Sequence, residues 1–80
     1  GIYTDQLPQA VADQLRAERA AKGLLVKDLA RITGISVNTI SRYPNQSSPI
    51  PMDAFAAMCE ALGETPSTIL GRAMERIPKG

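Results

Sequence analysis

Apolar residues recur along the chain every three or four positions, and the pattern is broken at intervals by glycine, proline and short polar clusters. That is the period of amphipathic helices, and no pair of alternating segments joined by a hairpin turn interrupts it. Leu7, Val11 and Leu15, with Ala12 and Ala20, form a stripe that predicts a first helix over residues 7–22. Pro8 would sit in its first turn, where a missing N–H costs nothing, and Gly23 would end it. Val26, Leu29, Ala30 and Ile32 predict the inward face of a second helix over residues 26–33, stopped by Gly34. Ser36 reads as the N-cap of a third helix over residues 37–43, because its side chain can take an orphan amide of the first turn. Pro44 cannot continue that helix, since it lacks a donor and clashes one turn back. Residues 44–51 read as a loop rich in proline and serine.

Phe55, Met58, Cys59 and Leu62 give core spacing to a fourth helix over residues 52–62, ended by Gly63. Thr65-Pro66, a cap followed by proline at the first helical position, opens a fifth helix that reaches Glu75 or Ile77. The expected fold is all-α, a compact bundle of five short helices in a single domain over residues 1–80. Its helices are too short for an up-and-down four-helix bundle.

Composition narrows the function. With Tyr3, Tyr43 and Phe55 as the aromatic residues and 44% apolar content, the core must be aliphatic. The formal charge is +1, but it is unevenly spread. Residues 14–45 carry six basic side chains (Arg16, Arg19, Lys22, Lys27, Arg31 and Arg42) against Glu18 and Asp28, whereas residues 1–13 and 46–80 are net acidic. A basic face in the first half is suited to phosphates. Cys59, the single cysteine, has no partner for a disulfide and falls on an apolar helix face, where a small core residue is expected. The chain contains no histidine, no phosphate-cradling glycine loop and no paired carboxylates in an evident pocket, so no enzyme, cofactor, metal or small-molecule substrate is expected. The apolar runs are too short for a bilayer and no signal-peptide pattern appears, so the expected location is cytoplasmic.

The informative stretch runs from Gly23 to Asn45. Ala30 is small enough for two helices to cross closely, Gly34 accepts the backbone angle of a sharp turn, and Ile35 and Ile40 anchor the pair. The remaining face of the third helix shows Val37, Asn38, Ser41 and Arg42. The series Leu29-Ala30, Gly34-Ile35-Ser36, then Thr39-Ile40-Ser41-Arg42 resembles the lambda-repressor-like helix-turn-helix family, also called the Cro or xenobiotic-response-element type. Arg16 and Arg19 ahead of Gly23-Leu24, Ala61-Leu62-Gly63, and residues 65–70 extend the resemblance over about residues 9–71.

This resemblance implies sequence-specific binding of double-stranded DNA by a phage or bacterial transcriptional regulator, a repressor that works by occupying an operator. The recognition helix would be residues 37–43 in the major groove. Val37, Asn38 and Ser41 are the implied base contacts, and Lys27, Arg42, Asn45, Ser36 and Arg19 the implied phosphate contacts. Three positions depart from the family pattern: Val26 replaces a common glutamine, Leu25 a capping serine or threonine, and Pro44 a glutamate that would pair with Arg19. Arg19 is then solvated, bound to DNA or paired with another acid. An antitoxin-type DNA-binding protein and a protein-interaction module on the same bundle are the alternatives. Arg72 and Arg76 are expected on a solvated face of the fifth helix. Its apolar residues Ile69, Leu70, Ala73, Met74 and Ile77 either pack on the first helix or form a homodimer face, the second being slightly favoured.

Overall fold

The computed structural model describes residues 1–43 and 49–78. They form five helices: α1 (Ile2–Ala21), α2 (Val26–Thr33), α3 (Val37–Arg42), α4 (Met52–Leu62) and α5 (Pro66–Met74). No strand occurs among the described residues. α2 and α4 match the sequence reading residue for residue, and α3 ends one residue earlier than expected, with Tyr43 as its C-cap.

α1 is the main correction. It begins at Ile2, five residues ahead of the predicted start, so Pro8 lies inside the helix rather than in its first turn. The opening turn closes without it, Asp5 N–H donating to the Gly1 carbonyl at 3.0 Å. Asp5 also puts a negative charge at the positive end of the helix dipole. Tyr3, Leu7 and Val11 then line an apolar groove completed by residues around the start of α4 and by Leu70. Ala20, expected in the stripe, is exposed in the last turn of α1.

The main core gathers Leu15 of α1, Leu29 of α2, Ile40 of α3 and its C-cap Tyr43, five α4 residues and Ile69. Cys59 lies within it, with no exposed surface. Burial pushes its thiol pKa up. A second cluster joins Ala10 to Ala73 and Ile77, with Leu7 and Val11 against it. Of the apolar set given to either packing or a homodimer face, Ile69, Ala73 and Ile77 are buried within the chain, whereas Leu70 and Met74 remain exposed. Ile32, expected inward, is 49% exposed. Leu29 and Ala30 already fill the buried side of an eight-residue helix, which leaves Ile32 on the outer side.

A polar clasp also ties α5 to α1: Arg72 and Arg76 are exposed as expected, and each also reaches a buried partner on α1. Arg72 Nη1 donates to Glu18 Oε2 at 2.7 Å, Gln14 Nε2 donates to the same oxygen at 2.7 Å, and Arg76 Nε donates to Gln14 Oε1 at 2.8 Å. Gln14 and Glu18 are both buried. The hydrogen bond from Arg72 holds the Glu18 carboxyl below the ordinary glutamate range; desolvation opposes this and the Gln14 bond adds to it. The positions of Arg72 and Arg76 are set by a buried acid and amide more than fifty residues away in sequence, which helical periodicity on α5 cannot reveal.

Candidate nucleic-acid interface

Eight residues of α2, a three-residue turn and six residues of α3 build the site. Gly34, the C-cap of α2, has φ +78°, a left-handed backbone that an L side chain would strain. Thr33 fastens the turn from the other side. Its hydroxyl donates to the Leu29 carbonyl at 2.6 Å and accepts from the Ile35 N–H at 3.2 Å. Ser36 caps α3 as expected, its hydroxyl accepting from the Thr39 N–H at 3.2 Å. The two hydroxyls of Ser36 and Thr39 are themselves 2.8 Å apart.

Leu25 has no side-chain oxygen with which to cap α2. Asp28 supplies half of the missing cap by reaching back, its Oδ2 accepting from the Leu25 N–H at 2.7 Å. This function of Asp28 was missed in the sequence, although an acid three residues into a helix is the available signal.

The two sides of α3 have opposite environments. Ile40 and Tyr43 are buried in the main core, while Val37, Asn38, Ser41 and Arg42 are exposed. Positions 37 and 41 are one helical turn apart, as are 38 and 41 in the other direction, so the three expected base-contacting side chains share one outward edge. Val37 keeps 45% of its surface exposed although it is apolar, which leaves a methyl pair on this polar face. Tyr43 is a packing residue, its phenol pKa pushed up by burial and by the nearby Asp53 charge.

The expected phosphate-contacting residues are distributed around this edge. Lys27 is exposed in the first turn of α2, Ser36 at the cap of α3 and Arg42 in its last turn. Asn45 lies outside the described residues. Arg19 is half-buried, and its Nη1 donates to the Leu24 carbonyl at 2.7 Å. That bond answers the loss of an acid at Pro44: the guanidinium is held by a main-chain oxygen in the α1–α2 turn.

The model of the Cro/C1-type HTH DNA-binding domain matches residues 14–74. The chain belongs to this family. The match takes in the clasp residues Gln14, Glu18 and Arg72 as well as the helix-turn-helix. The structure of this Cro/C1-type domain is similar to the crystal structure of the clp gene regulator ClgR from C. glutamicum, with a TM-score of 0.84 and 26% sequence identity. The alignment covers 92% of this chain and 96% of that one. No curated protein matches the chain. The Cro/C1-type domain is thus an all-helical DNA-binding unit, and none of its described helices is long and apolar enough to cross a membrane.

Proposed function

We propose that this Cro/C1-type domain reads a specific double-stranded DNA sequence with α3 in the major groove and thereby regulates transcription in a bacterium or its phage. It acts as a repressor that occupies an operator and excludes polymerase. The observation that carries this reading is the split of α3 into a core side and an outward edge bearing Val37, Asn38 and Ser41. Asn38 pairs with an adenine edge, Val37 meets a thymine methyl and Ser41 reads one turn further on. Lys27, Ser36, Arg42, Asn45 and the free donors of Arg19 hold the backbone, which sets register without reading sequence. The likeness to ClgR, a clp gene regulator, supports the regulatory part.

Residues 1–80 act together as one DNA-binding unit, since the far end of α5 packs on the front half of α1. Any pairing of two copies through α5 falls to Leu70 and Met74, the exposed part of its apolar set. Selection of duplexes from a random pool tests the whole reading. A two-fold-symmetric site with half-sites about 34 Å apart supports two copies on DNA, and a single half-site rejects them. On the selected duplex Asn38→Ala should cost about 1–3 kcal/mol of discrimination, with little change on a scrambled duplex. An equal loss on both removes Asn38 as a reader.

A further inference from the structure

We infer that Arg16, on α1, is a further contact to the DNA backbone, taking a phosphate at the flank of α3. This inference rests on the major-groove reading of α3 above. A small pocket of about 90 Å³ lies beneath α3, and its lining includes Arg16 and Arg19 of α1 together with Ser41 of α3. The two arginines, three residues apart, share a helix face. They therefore border the same opening as one of the base-reading positions.

The size of the groove supplies the next step. An α-helix with its side chains is about 10–12 Å across, and the major groove is about 12 Å wide. Groups that flank a helix seated there meet the sugar-phosphate walls. A guanidinium at that flank finds the acceptor it matches best, since its planar donors fit two phosphate oxygens at once.

Arg16 keeps its whole guanidinium for such a contact, whereas Arg19, Arg72 and Arg76 each commit a donor within the chain, Arg19 retaining its other donors for the backbone. Arg19 is tied to the Leu24 carbonyl, Arg72 to Glu18 and Arg76 to Gln14. The Arg16 side chain is 53% exposed, and its ion pair with Asp13 spans 3.8 Å between half-exposed groups. Pairs of that kind are weak in water. The same Asp13 oxygen also accepts from Gln9 Nε2 at 2.9 Å, so Asp13 keeps a partner when the guanidinium leaves.

Salt dependence of affinity tests this, because each neutralised phosphate adds about 0.9 to the slope of log K against log salt. The probes are a duplex selected from a random pool by the native chain and a scrambled duplex of the same length. Arg16→Ala should lower the slope by about 0.9 on both, so that raising salt from 50 to 200 mM costs the variant about 3.5-fold less affinity than the native chain. Lys22→Gln is the charge-matched control at the C-cap of the same helix: Lys22 pairs with Glu64, in the α4–α5 turn, at 3.4 Å. Its slope should stay native, and neither variant should melt earlier than the native chain by more than a surface change does. A native slope in Arg16→Ala, with Asn38→Ala still losing discrimination, overturns the contact and leaves the groove reading standing. An equal drop in both charge variants also overturns it, since that marks a general field. If Asn38→Ala loses nothing, the groove reading fails and this contact fails with it.

Discussion

Ser36 caps a helix of only six residues, and its hydroxyl meets both the amide and the hydroxyl of Thr39. Ser36→Ala should destabilise the chain by about 1 kcal/mol, seen as a lower denaturation midpoint with an unchanged m-value. A midpoint equal to the native one would mean that core anchoring by Ile40 and Tyr43 alone holds α3. Cys59 makes the opposite kind of prediction, since it is fully enclosed and burial raises its thiol pKa. A thiol reagent should leave the native chain almost unlabelled and react at the ordinary rate in denaturant. Fast labelling under native conditions would show that α4 opens locally. Both residues were legible in the sequence because their roles are local: a cap is read from the next three positions, and a helical cysteine from its face. The partners of Arg72 and Arg76 were not, because a buried carboxylate and a buried amide on another helix decide where they point.

Between elements, the clasp joining α1 and α5 gives the fold an acid-sensitive seam. The Glu18 pKa is lowered in the folded chain from its ordinary value of 4.5. The unfolded chain therefore binds the proton more readily, and the stabilisation is complete above that value. It is lost as pH falls through the lower, folded value. Glu18→Gln should flatten this part of the stability profile at acid pH, measured by urea midpoints across the range. A variant profile as steep as the native one would assign the acid loss to other carboxylates. The same scale shows what patterning can and cannot locate. Stops at Gly34 and Gly63 were legible because each takes a left-handed backbone at a helix end. The start of α1 was not, because proline is compatible with a first turn and also, less often, with an interior position whose i−4 carbonyl goes unbonded. Ile32 was assigned inward on apolarity alone, yet so short a helix has room for few buried positions.

For the molecule as a whole, the reading edge and the core are separable by mutation. Leu29, 2% exposed, joins α2 to the main core. Leu29→Ala should cost about 2–5 kcal/mol, a large share of the roughly 5–15 kcal/mol that a small domain has. Calorimetry should show a markedly lower melting temperature, with DNA binding lost only as the chain unfolds. Asn38→Ala, by contrast, should melt like the native chain. A Leu29→Ala variant with native melting would show that the neighbours close over the gap. The family and the outward edge of α3 were legible because the helix-turn-helix is a local pattern of about twenty residues. The clasp was not, because it joins residues more than fifty positions apart.

Among the described helices, α3 has α2 as its principal neighbour, and α2 in turn rests on α4. The recognition edge is thus mounted at the end of a short lever. Substitutions along the α2–α4 seam that tilt the lever by a few degrees would re-aim Asn38 and Ser41 while leaving their chemistry untouched. On the proposed reading, new operator preferences would arise there by reorientation, far from any atom proposed to meet a base.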